Sequence, residues 1–418
     1  MNQRIIEKVI IEHAEESIFL WLQRMSAVYA PNYSVNQLAD LDERLAAHID
    51  GLRVAGGQGW KAAEETLDNE GPEDFFPAAV LALESDDERF DGLIQRASQA
   101  PEAIPGLISA LGWVSAQFLA KRVQALLEDT APIKQKLGIA ACAMHRRDPG
   151  QALNAFLNSP TDSVRIRAFR TAGELGRKDT LPQLLSALDE VKPEARFWAA
   201  WSCVLLGDRN RALKVLGSLA FEDSPRQMQA FQLALLAMEM KTGHALLRKL
   251  NGVPNAVRLR IIGSGFIGNI EYVPRLIELM ENPELARIAA EAFVNISGVD
   301  FNLEQLEAEP PEQFEEGPTE DPDDEIVEVP EDIALAWPDV AKIQTWWGKH
   351  RAHFQNNTRY FLGQPITRQH CINVLKEGYQ RQRNMAAQHL CLPNPGTVLF
   401  PTSAPAWRQK RWLEKNEK

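Results

Sequence analysis

Between Val164 and Leu219 the chain repeats itself with a period of 31 residues. Ala168, Leu175, Gly176, Leu185 and Leu188 recur as Ala199, Leu206, Gly207, Leu216 and Leu219, whereas the charged positions do not recur. The register continues downstream through Ala230 and Ile261, and upstream from Ala172 through Ala141 and Ala110 to Ala79. A catalytic site rarely needs small and apolar residues on a fixed period. A stack of similar helix pairs does, because no single pair can bury its apolar face alone.

Within one period Leu181, Leu184, Leu185 and Leu188 follow the spacing of one helical face, and no alternating pattern indicates strands. The prediction is an all-α fold, an α-solenoid formed as a superhelix of antiparallel helix pairs. Gly176 and Gly207 fall where a helix ends in a left-handed cap, and Asp179 is expected to cap the helix that follows. The stretch "GSGFIG", Gly263 to Gly268, has no strand before it, so its glycines are expected to permit close helix packing rather than to form a dinucleotide loop. Residues 72–300 hold about seven units of 30–31 residues. Residues 1–71 lack the register and are expected to form a helical N-terminal cap that shields the end of the stack.

Charge divides the remainder. The chain carries a formal −12 over 418 residues, yet 14 acidic residues and no Lys or Arg lie between Glu304 and Asp332. Residues 301–333 therefore read as an acidic, Pro-rich connector too polar to order itself alone. Residues 334–418 read as a Trp-rich, basic, helical C-terminal unit docked on the end of the repeats. From Trp337 onward there are 13 Lys plus Arg against four acids, and five of the ten Trp. Three helices are expected there: one through "WPDVAKIQTWWGKHRAHF", one capped by Thr367 and ending near Gly378, and one through "YQRQRNMAAQHLCL". Asp321, Asp323, Asp324 and Glu325 are the candidate residues for steering a basic partner, and Trp346 and Trp347 are candidate anchors.

The repeated Ala-Leu-Gly pattern resembles HEAT repeats of the short kind found in phycobilin-lyase-like proteins. The tail motifs "WPD" (Trp337–Asp339), "WW" (Trp346, Trp347), "TRYFLG" (Thr358–Gly363), "EGYQRQR" (Glu377–Arg383), "NPGT" (Asn394–Thr397) and "APAWR" (Ala404–Arg408) resemble a bacterial family of uncharacterised HEAT-repeat proteins. That family is encoded beside type VI secretion spike and PAAR-tip genes. The resemblance implies a protein that serves a secreted toxin, as its immunity protein or as a loading factor, and it transfers no catalytic residue.

Other chemistries find little support in the residues. No His is followed directly by Glu, as the iron-binding HEAT enzymes require. His370, Cys371, His389 and Cys391 have no CxxC element for zinc. Arg165, Arg167, Arg170 and Arg177 form a local basic patch in an otherwise acidic repeat region, which argues against direct nucleic-acid binding. No run of about 18 apolar residues could span a bilayer, and the four scattered Cys fit a reducing cytoplasm. The expectation is a non-enzymatic, cytoplasmic, protein-binding solenoid without cofactor or metal. It is expected to be an immunity protein against a toxin such as a basic nuclease. The alternatives are an effector-loading adaptor of the same system, or a HEAT-fold enzyme acting on nucleic acid or a metal-bound substrate.

Overall fold

A computed structural model of the chain describes residues 6–85, 88–251, 253, 256–311, 314 and 332–415. Among these residues there are twenty-two α-helices and one two-stranded hairpin. The fold is an all-α solenoid of helix pairs.

Three helices precede the repeats: α1 (Glu7–Ala27), α2 (Val35–Ala55) and α3 (Gly57–Glu65). A capping box starts α2, with Ser34 Oγ accepting from the Gln37 N–H while the Gln37 side chain accepts from the Ser34 N–H. The helices that follow are α4 (Pro72–Ser85), α5 (Arg89–Ala97), α6 (Ile104–Trp113), α7 (Ala120–Glu128), α8 (Pro132–Met144) and α9 (Gln151–Phe156). Next come α10 (Asp162–Glu174), α11 (Leu181–Ser186), α12 (Pro193–Leu205), α13 (Arg211–Leu219), α14 (Gln227–Ala237), α15 (Met240–Lys249), α16 (Val257–Ile267) and α17 (Val273–Leu279). The helix α18 (Pro283–Ser297) ends the series. The tail adds α19 (Val340–His350), the strands β1 (Tyr360–Phe361) and β2 (Gln364–Pro365), then α20 (Arg368–Glu377), α21 (Gln380–Cys391) and α22 (Ala406–Lys415).

The chain divides into two compact units, one of residues 1–212 with 374–418 and one of residues 213–373. In the first, α4, α6, α8, α10 and α12 pack side by side in one row, each on the next. Alanines make this possible: Ala79, Ala110, Ala141, Ala168, Ala172 and Ala199 are all buried, and a methyl lets neighbouring backbones approach. In the second unit α14, α16 and α18 form a comparable row. A Cβ added at Gly263 would lie 2.6 Å from Leu247 Cδ2, and one at Gly265 would lie 3.0 Å from Ala292 Cα, so these glycines do serve close packing.

Gly176 and Gly207 end α10 and α12 with φ of +68° and +107°. The Arg177 N–H reaches back to the Ala172 carbonyl and the Asp208 N–H to the Cys203 carbonyl, which satisfies the orphaned helix ends. Asp179 does not cap α11. Its carboxylate is held instead by both branches of the Arg177 guanidinium at 2.8 and 2.7 Å, a charge-assisted pair that outcompetes a neutral cap bond.

The C-terminal segment of the first unit lies along these helix ends. A Cβ at Gly176 would sit 2.2 Å from the Gly396 carbonyl oxygen, and one at Gly207 would sit 2.9 Å from Pro395 Cγ. Arg146, which follows α8 with φ +51°, donates from Nε to the Leu399 carbonyl at 2.8 Å, and the Leu399 N–H donates to the Glu174 carbonyl at 3.0 Å. Arg209 donates to the Leu392 carbonyl at 2.7 Å, and Arg408 donates to the carbonyls of Gly112 and Val114 at the end of α6 at 2.7 and 3.2 Å. Asp42 on α2 accepts from both Arg24 and the Ala406 N–H, and so holds the first turn of α22.

The tail helices of the sequence reading exist, but Asp339 rather than the Trp337–Pro338 step starts α19, its carboxylate accepting from the Lys342 N–H at 3.1 Å. The α22 helix and the hairpin are additional to the three helices expected there. In the second unit the hairpin is seated on helix ends too: the Tyr360 N–H donates to the Gly268 carbonyl, and the Leu362 and Gly363 N–H groups donate to those of Asn295 and Ile296.

Candidate functional site

The basic patch around α10 separates into three ion-pair systems. Arg165 bonds Asp162 and Glu190 at 2.6 and 3.1 Å, and Arg177 bonds Asp148 and Asp179. Arg167 and Arg170 converge on Glu174 at 2.8 and 2.9 Å, because positions four and seven residues apart return to one helix face. Arg146 lies near enough to act on the same carboxylate. Burial alone would raise the Glu174 carboxyl, yet the three guanidiniums hold it down at about 2.

The next helix answers with aromatics in register. Trp198 and Trp201 stand 31 residues after Arg167 and Arg170. The Arg170 guanidinium lies 4.6 Å from the Trp198 ring, Trp198 Nε1 donates to Glu194 at 3.0 Å, and the two indoles meet edge to face at 5.3 Å. On the other side, burial lowers the Lys136 ammonium, and the nearby Arg167 lowers it further. Trp198 is only 5% exposed, so Arg170, with 42% of its side chain exposed, is the part of this cluster that a partner can reach.

These groups are tuned away from acid–base work at neutral pH. Burial pushes the thiols of Cys142 and Cys371 up to about 11 and those of Cys203 and Cys391 up to about 12. Burial also lowers His145 to about 4 while its Nε2–H donates to the Leu111 carbonyl at 2.8 Å. A general acid or base needs a pKa near the working pH. His370 is engaged by the Phe361 carbonyl at 2.7 Å, and Cys391 Sγ faces the Thr397 carbonyl at 3.6 Å. Among the described residues no three His, Cys, Asp or Glu gather as an ion site, and no helix is long and apolar enough to cross a membrane.

Of the candidate partner-binding residues, Asp321, Asp323, Asp324 and Glu325 lie outside the described residues. Trp346 and Trp347 stand together on α19, both edge to face with Phe293 at 6.0 Å. Trp347 is buried in the core of the second unit. Trp346 is half-buried, stacks on His350 at 4.1 Å, and keeps its indole N–H inside without a hydrogen-bond partner among the described residues. Adjacent indoles gave no sign in the sequence of which would turn inward.

Residues 150–235 match the family profile for HEAT repeats. This segment is built of HEAT repeats. It spans α9 to α13 and most of α14, and so contains Arg167, Arg170, Glu174, Trp198 and Trp201. No curated protein matches the chain. HEAT repeats form protein-interaction scaffolds, with side chains projecting from successive helices onto a shared surface; the repeat itself specifies no activity.

Proposed function

We propose that this protein is a non-enzymatic binding scaffold of a type VI secretion system, the immunity protein that captures and neutralises a cognate toxin. The observation that carries the scaffold reading is the HEAT-repeat match over residues 150–235, joined to a repeat register that extends on both sides of it. The tail motifs from Trp337 to Arg408 support the secretion context by their resemblance to proteins encoded beside spike and PAAR genes.

The acidic run supports the choice of partner. Fourteen carboxylates between Glu304 and Asp332 create a negative field that favours a basic protein such as a nuclease. Asp321, Asp323, Asp324 and Glu325 are its densest part, and of the adjacent pair Trp346 and Trp347 the half-buried Trp346 is the more accessible to a partner. The test is to mix the purified chain with the toxin domain encoded next to the spike and to measure association by stopped flow. Changing the four acids together to Asn and Gln should slow capture about tenfold at low salt and less at high salt, since charges steer within a Debye length of about 8 Å. Absence of any complex removes the immunity reading.

A further inference from the structure

The second unit holds a cleft of about 130 Å³ among α15, α16 and α17. Its apolar floor includes Leu247, Ile261 and Leu276, and Arg248, Arg260 and Tyr272 stand over that floor. Among the described residues Arg248 and Arg260 have no carboxylate partner, whereas Arg275 at the same cleft is paired with Glu278 at 2.7 Å. Among the described residues the exposed Arg44, Arg147 and Arg368 likewise have no carboxylate partner, so what distinguishes Arg248 and Arg260 is that both line one cleft with an aliphatic floor.

A hydrogen-bond chain orients the third polar group. Asn269 Oδ1 accepts from the Glu271 N–H at 3.0 Å, which turns the Asn269 amide nitrogen toward His244 Nε2 at 3.1 Å. Nε2 must then accept, so the neutral ring carries its proton on Nδ1 and donates it to the Tyr272 hydroxyl at 2.6 Å. Burial lowers the His244 pKa, which keeps the ring neutral. The hydroxyl has thus received a hydrogen bond and retains its own proton for an acceptor. Burial pushes that phenol up to about 12, with Arg248 and Arg260 acting in the opposite direction and Glu271 adding to the rise; both guanidiniums line the same cleft as the hydroxyl.

We propose that this cleft binds a carboxylate carried on an aliphatic body. The carboxylate lies between Arg248 and Arg260 and accepts a hydrogen bond from the Tyr272 hydroxyl, and the aliphatic part covers Leu247, Ile261 and Leu276. An inorganic phosphate suits the site less well, because it carries no apolar part to cover Leu247, Ile261 and Leu276. The same chemistry is supplied by a free aliphatic acid or by a Glu side chain flanked by apolar residues, and the proposal stands independently of the toxin reading.

Isothermal titration of the full-length protein with sodium hexanoate, with a blocked Leu-Glu-Leu tripeptide and with neutral hexanamide tests it. Saturable binding of a carboxylate that hexanamide does not share is expected. Hexanoate binding identifies a free acid as the source, and binding of the tripeptide alone identifies a peptide. Arg260→Gln should weaken binding by roughly tenfold or more and Tyr272→Phe by several-fold. The exposed position of Arg260 leaves the fold intact, which an unchanged circular dichroism melt verifies. Failure of both carboxylates to saturate, equal binding of hexanamide, or undiminished binding by both variants overturns the proposal.

Discussion

Gly176 and Gly396 meet backbone to backbone: a single added methyl at Gly176 would stand 2.2 Å from the Gly396 carbonyl oxygen. A helix end in the middle of the repeats and a turn near the C-terminus therefore exclude any side chain between them. Gly176→Ala should cost about 2–4 kcal/mol, the strain of a left-handed residue plus the displacement of the C-terminal segment. Urea denaturation measures the loss, and a cost of no more than about 1 kcal/mol would mean that the segment is not held there.

Arg408 gathers the carbonyls of Gly112, Trp113 and Val114, at 2.7, 3.3 and 3.2 Å, with its side chain buried. Arg408→Ala leaves those acceptors without donors and should destabilise the first unit by about 3 kcal/mol. Arg408→Lys should recover less than half of that, because a single ammonium lacks the planar fork that spans neighbouring carbonyls. Amide exchange in α22 should quicken in both variants, and full protection in Arg408→Ala would contradict the anchoring role.

Acid should weaken the fold in two successive windows. His145 has a folded pKa of about 4, below its ordinary 6.5, so the unfolded chain takes up the proton first. Its contribution is complete above pH 6.5 and declines as the pH falls toward 4. Glu174, held at about 2 against an ordinary 4.5, contributes stability that is complete above 4.5 and disappears as the pH falls through 2. On the order of 3 kcal/mol should be lost in this second window. Glu174→Gln should be less stable than the parent at neutral pH, since it strands Arg167, and its stability should be flatter between pH 4.5 and 2. A parallel pH profile in the variant would show that the guanidiniums do not act through this carboxylate.

Much of this architecture was legible in the sequence, for a physical reason. A repeat records its packing locally, so the spacing of Ala168 and Ala199 and the caps at Gly176 and Gly207 require no knowledge of distant residues. What was hidden depends on long-range partners. The charge-rich α22 helix depends on Asp42, more than 360 residues earlier, which holds its first turn. The Asp179 cap failed because Arg177, two residues away, bound the carboxylate first. Of the basic patch, the sequence showed the arginines but not that Glu174 would be enclosed by two of them. The cleft over Leu247 and Ile261 left no motif at all, because Arg248, Arg260 and Tyr272 come from three different helices or their approaches.

As the proposed immunity protein, the HEAT-repeat scaffold protects a cell from a toxin of its own secretion system, and survival measures this directly. The toxin domain encoded beside the spike is expressed in a susceptible cell with and without this protein, and both proteins are followed by immunoblot. Killing by the toxin alone should be abolished when this chain is present, and protection should be reduced when Asp321, Asp323, Asp324 and Glu325 are neutralised together. Undiminished killing with both proteins demonstrably produced would contradict it.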